Sequence, residues 1–392
     1  MKKQLKDICE TITKGTTPTT LGYSFQETGI NFVKIESINS NGVFEPEKFA
    51  HISDDCNTAL RRSQLKENDI LFSIAGAIGR TAIVNKSMLP ANTNQALAII
   101  RLYNNEEYNL NFLRYQLSSE VVLRQTERQK QGVAQLNLSL KDIGNLELYL
   151  PSLSDQQKIA AELDTIQSAI DNKKQQLSLL DETVKSEFVE MFGENPVESG
   201  KWKVETLGDV CSSIVRGPFG SALKKDFFVP KSNDTVKVYE QKHAIQKSAD
   251  IGTYYITNEK YEELKRFECK SGDFLMSCSG TMGEFYQLPE GCEKGIINQA
   301  LCKFTLNNKL NSIIFLEWMK YSISNLETKG SGIKNVAAVS FVKQMPMFIP
   351  PKELQDKFST FVQQIDKSKF VVKQQIADLQ ELLDSKMQQY FA

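Results

Sequence analysis

The sequence predicts an α/β (α+β) protein in which two homologous mixed α/β domains are joined by two long helices. The helices are expected to form an antiparallel coiled coil, giving a dumbbell with pseudo-twofold symmetry. Three observations predict this fold. The chain repeats itself after about 200 residues, each copy opens with short β-like runs and one helix, and each copy ends in a long stretch with apolar residues at helical spacing.

The internal repeat consists of short matching blocks that keep their order along the chain. The matched blocks are residues 5–9 with 207–211, 69–73 with 273–277, 94–97 with 298–301, 132–133 with 332–333, and 150–151 with 349–350. Two glycines after the second block also recur, as Gly76 and Gly79 in the first copy and Gly280 and Gly283 in the second. Because a repeat of this length is a whole domain, two similar domains follow each other.

Each copy opens with a domain that mixes strands, loops and a helix. In the first copy, the predicted strands are residues 30–35, 70–74, 81–84 and 96–102. Residues 109–128 are predicted to be helical because Leu110, Leu113, Leu117 and Val121 fall on one face. The second copy repeats this order, with a helix near residues 312–326.

Each copy closes with a long helix. The first is predicted over residues 155–192, with Ser154 and Gln157 as a capping box at its start and Gly193 and Pro196 at its end. At 1.5 Å per residue this helix is roughly 57 Å long. The matching helix of the second copy follows Pro350 and runs to the end of the sequence.

Apolar residues recur at steps of three and four along both helices, which is the spacing of a coiled-coil seam with one interruption at Lys173 and Lys174. The predicted seam consists of Ile159, Leu163, Ile166, Ile170, Leu177, Leu180, Val184, Phe188, Phe358, Val362, Ile365, Ile376, Leu379, Leu383 and Met387. Since both stripes share one register, we expect the helices to pair. Since the second helix must return toward the first domain, we expect an antiparallel pair.

The predicted boundaries are 1–150 and 198–349 for the domains and 151–197 and 350–392 for the helical segments. Two similar domains at a fixed distance suit a ligand that has two sites at a fixed spacing. Duplex DNA is such a ligand, because paired modules read half-sites about one helical turn apart. A scaffold that binds protein partners through two adaptor domains fits the same pattern, and a steep salt dependence of binding would distinguish DNA from it.

Composition restricts the possible functions. No run is apolar for long enough to span a bilayer and the first residues lack a signal-peptide core, so we expect a cytoplasmic protein without a membrane partner. Seven cysteines without a C-x-x-C motif and two histidines favour buried reduced thiols and no metal or other cofactor. A net charge of -1 means that DNA binding must depend on local basic patches or on partners.

Several motifs resemble the specificity subunits of type I restriction-modification enzymes, and the resemblance covers nearly the whole chain. Residues 12–18 (ITKGTTP) and 30–34 (INFVK) resemble the opening of a target recognition domain. Residues 132–137 (GVAQLN) and 148–160 (LYLPSLSDQQKIA) resemble the passage into the spacer helix, and residues 202–210 resemble the start of the second recognition domain. The second copy departs from this pattern at residues 216–220 (RGPFG) and 350–355 (PPKELQ), as expected if the domains read different sequences.

The resemblance implies recognition of a bipartite double-stranded DNA target, with one half-site per domain and a gap set by the coiled coil. It implies two modification subunits with adenine methyltransferase activity as partners, together with restriction subunits that translocate DNA with ATP and cut it. The chain itself is then expected to be non-catalytic, and it lacks both a G-x-x-x-x-G-K-[ST] loop and an Asn-Pro-Pro-[Tyr/Phe] motif. A self-contained enzyme is the remaining alternative, and methyl transfer by the chain alone would reveal it.

Candidate DNA contacts are polar side chains in loops and basic segments, because Arg, Lys and Gln read base edges and Ser and Thr add phosphate contacts. In the first domain they are Lys14, Thr16, Thr17, Arg61, Arg62, Arg80, Arg124, Arg128, Lys130 and Gln131. In the second domain they are Arg216, Lys224, Lys225, Gln241, Lys242, His243, Lys329, Ser331 and Lys334. From residue 216 to residue 247, seven Lys and Arg stand against three Asp and Glu. A solvated surface charge is the alternative for each.

Some recurring residues are expected to be structural. The Asn-Gln pair at 94–95 and 298–299 is predicted to hold the scaffold, because domains that read different bases should share scaffold rather than readers. The four recurring glycines are predicted to form tight turns. Four aromatic residues are predicted to lie in the core: Tyr103, Phe112, Phe304 and Phe315.

Overall fold

The computed structural model describes residues 1–104, 106–129, 137–279, 281–328 and 339–392. The chain divides into two units. Unit 1 consists of Met1–Gln175 and Val372–Ala392, and unit 2 consists of Gln176–Val371. None of the helices in the described ranges combines the length and the apolarity that crossing a bilayer requires.

The described residues of unit 1 form three small sheets. Its strands are β1 (Lys2–Gln4), β2 (Cys9–Lys14), β3 (Ile30–Val33), β4 (Ala50–Ile52), β5 (Ile70–Ser73), β6 (Thr81–Ile83), β7 (Ala91–Thr93), β8 (Leu97–Leu102) and β9 (Glu147–Tyr149). Its helices are α1 (Asp54–Ala59), α2 (Leu110–Ser118), α3 (Glu120–Gln129), α4 (Leu140–Gly144) and α5 (Leu153–Phe192), which continues into unit 2. The sheet orders are β2-β8-β5-β6, β4-β3-β7 and β1-β9, and only β3 and β7 are parallel.

The central strands β5 and β8 are apolar on both faces because both faces are buried. Ile70 and Ile100 belong to the core that also contains α2 and α5, whereas Leu71 and Ile99 belong to a second core beside β3 and β7. Successive side chains of a strand point to opposite faces. These strands therefore read as continuous apolar runs rather than as alternating ones.

Unit 2 repeats this topology. Its strands are β10 (Lys203–Thr206), β11 (Cys211–Arg216), β12 (Thr235–Tyr239), β13 (Tyr255–Thr257), β14 (Glu268–Cys269), β15 (Phe274–Ser277), β16 (Phe285–Gln287), β17 (Gly295–Ile297), β18 (Leu301–Leu306) and β19 (Pro346–Ile349). Its helices are α6 (Leu207–Val210), α7 (Gln241–Ile245), α8 (Asn258–Glu263), α9 (Ser312–Thr328), α10 (Val339–Gln344) and α11 (Lys352–Phe391), which continues into unit 1.

The sheets of unit 2 match those of unit 1 strand for strand, with β14 added. Their orders are β11-β18-β15-β16, β13-β12-β17-β14 and β10-β19, and only β12 and β17 are parallel. The first strand of each large sheet even carries a register shift at the same place, between Cys9 and Thr11 and between Cys211 and Ser213. The prediction of two homologous mixed α/β domains is confirmed.

Two predicted helix details were wrong. The helix predicted over residues 109–128 is interrupted at Ser119, whose backbone is extended and whose hydroxyl donates to the Gln116 carbonyl at 2.6 Å. The start of α5 is capped by Ser152 rather than by Ser154. The hydroxyl of Ser152 accepts a hydrogen bond from the Asp155 amide at 3.2 Å and donates to the Asp155 carboxylate at 2.6 Å. Helix α5 begins at Leu153, so Ser154 lies inside its first turn.

Within unit 1, the beginning of α5 packs against the end of α11, so the two helices run antiparallel. Leu163 and Ile170 of α5 are fully buried in one core with Leu383 of α11. Beside this contact, Glu162 accepts hydrogen bonds from Lys386 at 2.7 Å and from the Tyr390 hydroxyl. The other predicted seam residues of this unit lie in or against the same core, namely Ile159, Ile166, Ile376, Leu379 and Met387.

Within unit 2, the end of α5 packs against the beginning of α11. Phe188 lies 5.6 Å from Phe358 between ring centroids, and the two residues share a core with Val184 and Val362. Ile365 packs against this core, and Leu177 and Leu180 are half-buried. Lys369 takes the repeat position of Ile170 and forms an ion pair with Asp181 at 2.6 Å. The predicted antiparallel pairing of the long helices is confirmed.

Candidate nucleic-acid interface

In unit 1, the loop that follows β2 lies directly on the turn that precedes β8. A Cβ atom added to Gly15 would lie 1.8 Å from the Thr93 carbonyl oxygen, so only glycine fits there. Two residues later, the Thr17 hydroxyl donates a hydrogen bond to the side-chain carbonyl of Gln95. Lys14, Thr16 and Gln95 are exposed around this contact. The sheet therefore presents one small polar surface made from two loops.

Unit 2 has the same pair of loops. A Cβ atom on Gly217 would lie 1.9 Å from the Asn298 carbonyl oxygen, in the same relation as Gly15 to the turn of unit 1. Arg216 donates from Nε to the Gln299 carbonyl oxygen at 3.4 Å, and Gln299 is exposed. We call these surfaces loop pair 1 (residues 14–17 and 94–95) and loop pair 2 (residues 216–219 and 298–299).

The asparagines of both turns have the structural role that the sequence predicted. The side-chain oxygen of Asn94 accepts a hydrogen bond from the Ala96 amide at 3.1 Å, and Asn298 accepts one from the Ala300 amide at the same distance. Such local bonds fix a turn. The adjacent glutamines differ, because Gln95 and Gln299 are exposed, although the side-chain carbonyl of Gln95 accepts the hydrogen bond from Thr17. Sequence reasoning missed them by treating each pair as one element.

Three of the recurring glycines are described, and each has a positive φ in a tight turn, as predicted: Gly76, Gly79 and Gly283. A Cβ atom on Gly79 would lie 2.1 Å from a methyl carbon of Leu123, and one on Gly283 would lie 2.6 Å from a methyl carbon of Ile323. These turns are therefore packed against α3 and α9. Gly280 lies outside the described residues.

A buried asparagine connects the segment that precedes Arg61 and Arg62 to the strand that leads into loop pair 1. Asn92 is fully buried on β7, two residues before the Asn94 turn. Its side-chain amide donates to Asn57 at 2.9 Å and to the Leu60 carbonyl at 3.2 Å. These two bonds attach the segment just before Arg61 and Arg62 to β7, the strand that leads into the turn. Both arginines are exposed.

Gln241 and Lys242 lie near loop pair 2. The Asn298 amide donates to the carbonyl of Tyr239 at 3.0 Å, which joins the end of β12, two residues before α7, to the turn. The Gln241 side-chain amide donates to the Ser279 carbonyl and, at 3.1 Å, to the Thr281 carbonyl. Lys242 pairs with Glu240 at 2.7 Å. Lys224 and Lys225 are exposed in the turn that follows the RGPFG segment.

His243 does not occupy the exposed position that a DNA contact requires. It is fully buried. Its Nδ1 accepts a hydrogen bond from the Glu240 amide at 2.8 Å, and its Nε2 donates to the Ile251 carbonyl at 2.7 Å. Burial lowers the pKa of the imidazole, although the two backbone bonds act in the opposite direction. His243 is therefore a neutral residue that fixes the loop after α7.

Arg80 and Arg124 are also engaged within unit 1. The guanidinium of Arg80 donates to the Ile35 carbonyl at 3.3 Å and to the Ile38 carbonyl at 2.6 Å, so it fastens the segment after β3. Arg124 is exposed on α3 and pairs with Glu120 at 2.5 Å, one helical turn away. Exposed pairs of this kind contribute little stability.

The remaining candidates lie wholly or partly outside the described residues. Lys130 and Gln131 of the first domain and Lys329, Ser331 and Lys334 of the second lie outside the described residues, and for Arg128 only the helical backbone is described. The GVAQLN motif lies almost entirely outside the described residues as well.

The cysteines belong to the cores. Cys9 and Cys211 occupy equivalent places at the start of β2 and β11, and burial raises the pKa of each thiol to about 12. They are therefore protonated at neutral pH and behave as apolar atoms. Six of the seven cysteines are buried and Cys292 is half-buried, and all are reduced. Among the described ranges, no group of three or more His, Cys, Asp or Glu residues is arranged to hold a metal ion.

Comparison with known proteins finds matches along the whole chain. The family model described as type I restriction modification DNA specificity domain matches twice, over residues 1–182 and 199–381. The type I restriction enzyme EcoBI specificity subunit of Escherichia coli is 31% identical over 153 residues, which make up 38% of this chain and 31% of that subunit. The putative type I restriction enzyme MjaX specificity subunit of Methanocaldococcus jannaschii is 22% identical over 376 residues, or 93% of this chain and 86% of that one.

A solved structure shows the same fold. It is described as "Structural basis underlying complex assembly and conformational transition of the type I R-M system", and one of its chains superposes with a TM-score of 0.59. The two chains are 17% identical, and the match covers 100% of this chain and 97% of the other.

Proposed function

This chain belongs to the family of type I restriction-modification DNA specificity domains, and on this premise we propose that it recognises a bipartite double-stranded DNA target. Each unit binds one half-site through its loop pair. The observation that carries the proposal is that the two loop pairs share one backbone arrangement but differ in the side chains that they expose. Thr16 and Thr17 of loop pair 1 are replaced by Pro218 and Phe219 in loop pair 2. A shared scaffold with different exposed residues suits two different half-sites.

The side chains around the loop pairs support a nucleic-acid ligand. Lys14, Arg61 and Arg62 are exposed in unit 1, and Lys224 and Lys225 are exposed in unit 2. Positive side chains bind phosphates and fix the register of a protein on the duplex, whereas glutamine amides pair with base edges. Gln95 shares loop pair 1 with Lys14, and Gln299 shares loop pair 2 with Arg216. These two glutamines are the residues that we propose as base readers.

The long helices would set the gap between the half-sites. Helices α5 and α11 each contain 40 residues, a length of roughly 60 Å at 1.5 Å per residue. Each helix belongs to both units, so its length limits how far apart two half-sites can lie.

The catalytic steps would belong to partners. We propose that two modification subunits carry the adenine methyltransferase activity and that restriction subunits carry the nuclease and translocase activities. In this arrangement the chain binds DNA without catalysing a reaction, and it directs its partners to the target.

Mapping methylated adenines in a host that expresses this chain together with its modification partner tests the proposal. We expect methylation within one bipartite sequence whose two halves are separated by a fixed gap. Methylation at a single contiguous site, or at no defined site, would contradict it. A host that expresses the partner alone is the control.

Exchange of residues 202–348 for the second domain of another family member assigns each half-site to a unit. We expect one half of the target to change while the other half and the gap stay the same. A change in both halves would contradict recognition by separate units.

A further inference from the structure

Phe219 is an aromatic side chain held in solvent at the tip of loop pair 2. The residue is 65% exposed, although the two preceding residues, Gly217 and Pro218, are buried. It stands immediately before the short helical turn Gly220–Leu223. Most of its apolar surface is therefore open to solvent.

The backbone that leads into Phe219 is fixed. Gly217 sits against the Asn298 carbonyl, and its amide donates to the Leu301 carbonyl at 3.0 Å. Proline at position 218 restricts the backbone further, because its ring fixes φ. The guanidinium carbon of Arg216 lies 5.0 Å from the centre of the Phe219 ring, within the range of a cation–π contact. The ring is therefore held in place before any ligand arrives.

Unit 1 has a polar residue at the equivalent position. Thr17 stands immediately before the turn Pro18–Leu21, as Phe219 stands before its own turn. The Thr17 hydroxyl is bonded to Gln95 across loop pair 1, so it is satisfied within the unit. The two loop pairs therefore differ most at this one position, where unit 2 has an apolar ring.

We propose that Phe219 acts as a wedge that inserts between two adjacent base pairs of the half-site bound by unit 2. The inference rests on the proposed function. Arg216 lies beside the ring, and the exposed Lys224 and Lys225 follow within six residues of it in sequence. Such positive charge suits the phosphates on either side of a base step. Apolar wedges of this kind unstack a step and kink the duplex. Unit 1, with Thr17 in this place, leaves its half-site stacked.

The wedge adds a preference for deformable sequence. Pyrimidine–purine steps such as TA and CA unstack more easily than other steps. The half-site of unit 2 should therefore contain such a step where Phe219 enters, even if no side chain reads its base edges.

The test uses the full chain assembled with its modification subunits and duplexes that carry the mapped target. Adenines along both half-sites are replaced one at a time by 2-aminopurine, whose fluorescence rises when it is unstacked. We expect a rise at one step of the half-site that domain exchange assigns to unit 2. Phe219→Ala should abolish this rise and weaken binding by about 5- to 150-fold, the range reported for loss of one base–aromatic stack. Phe219→Trp should keep the rise.

Tyr103→Ala is the matched control. Tyr103 is 71% exposed, but it follows the end of β8 that is remote from the Asn94 turn. We expect this variant to leave the fluorescence unchanged. Equal fluorescence and affinity in wild type and Phe219→Ala would overturn the wedge. The wedge would also be overturned if the only defect of Phe219→Ala were a failure to assemble with the modification subunits, because Phe219 would then contact a protein partner. In both outcomes the wild-type chain still gives a bipartite methylation pattern, so they are distinguishable from failure of the proposed function.

Discussion

Asp69 and Asp273 occupy the same place in the repeat and organise the same corner of each large sheet. Asp69 is 1% exposed, and both its oxygens accept hydrogen bonds from the Arg101 guanidinium at 2.7 Å. Asp273 accepts instead from the Thr305 hydroxyl at 2.5 Å and lies 3.9 Å from Lys303. In both units a second oxygen contact goes to a backbone amide three residues earlier. A shared acidic residue therefore serves the scaffold with different partners.

Substitution Asp69→Asn should destabilise unit 1 by about 2–4 kcal/mol, because it leaves the half-buried Arg101 without its two charge-assisted bonds. Hydrogen exchange of the β5 and β8 amides in unit 1 measures the effect. Glu120→Gln is the matched control, since it breaks the exposed pair with Arg124 and should cost less than about 1 kcal/mol. Equal protection of these amides in wild type and Asp69→Asn would show that the buried pair does not stabilise unit 1.

His243 should make the stability of unit 2 depend on pH. Its pKa is lowered in the folded state by burial, with Lys237 acting in the same direction and the bonds to backbone groups and the charge of Glu240 opposing. The unfolded chain therefore binds a proton at a higher pH than the folded chain does. The stabilisation is complete above the unfolded pKa of about 6.5 and is lost as pH falls toward the lowered pKa.

Tryptophan fluorescence during denaturant unfolding reports on this effect, because both tryptophans, Trp202 and Trp318, belong to unit 2. We expect the denaturant concentration at the unfolding midpoint of the wild type to decrease as the pH is lowered from 7 to 5.5. His243→Gln should lower the midpoint at pH 7 and flatten its pH dependence, whereas His51→Gln in unit 1 should keep the wild-type slope. An unchanged slope in His243→Gln would refute the assignment.

Residue types and local charge predict which segments are basic, but they do not predict which side chains are exposed. His243 follows Gln241 and Lys242 in a basic stretch, and only the short helix α7 turns its ring into the core. Tyr103 shows the opposite error, since it was predicted to lie in the core and is 71% exposed just after β8 ends. Phe112, Phe304 and Phe315 are fully buried as predicted. The exposure of these side chains depends on packing between residues far apart in sequence, which local patterns of residue type do not predict.

At the scale of elements, the close contact between each glycine loop and its turn holds the two strands of a loop pair together. Gly15→Ala should destabilise unit 1 by roughly 1–3 kcal/mol, because the added methyl overlaps a backbone carbonyl that cannot move freely. It should also relax sequence preference in the half-site of unit 1. Gly217→Ala should do the same for the half-site of unit 2.

Unfolding measurements and methylation maps of both variants test this expectation. Gly144→Ala is the control, because a Cβ atom there would meet Lys6 at an ordinary contact distance of 3.4 Å. If both loop variants relaxed the same half-site, the assignment of one loop pair to each unit would be wrong.

Strong local patterns predicted the elements well where burial is uniform. The runs around Ile70 and Ile100 were recognisable as strands because both of their faces are buried. The break at Ser119 and the cap at Ser152 were not predicted, because each depends on which nearby backbone group one serine hydroxyl bonds. Similar choices were open at Ser118 and Ser154.

For the whole molecule, the repeat predicted the duplicated topology and the two shared helices. The candidate interface was predicted only in part. Thr17 and Arg216 do lie on the loop pairs, but Gln95 and Phe219 were recognised only when the structure showed their exposure. Each follows a residue with a structural role, Asn94 or the buried Pro218, so the sequence pattern alone did not indicate their exposure.

Helix length should control the gap between half-sites. One heptad inserted after Gln175 in α5 and another after Val371 in α11 keeps the seam in register, because the apolar pattern repeats every seven residues. We expect methylation mapping to show a target with the same two halves and a longer gap. Lys174→Ala, which keeps the helix length, should leave the gap unchanged. An unchanged gap in the insertion variant would mean that the helices do not set the spacing.

The division of both long helices also determines the order in which the chain can fold during its synthesis. Unit 2 is one continuous segment, whereas unit 1 needs Val372–Ala392 to complete its core, where Phe391 packs 5.3 Å from Phe112. The ribosome makes these residues after all of unit 2. Contacts between residues so far apart in sequence form slowly. The domain that is synthesised first is therefore completed last, and until then its exposed apolar helix face needs protection from aggregation.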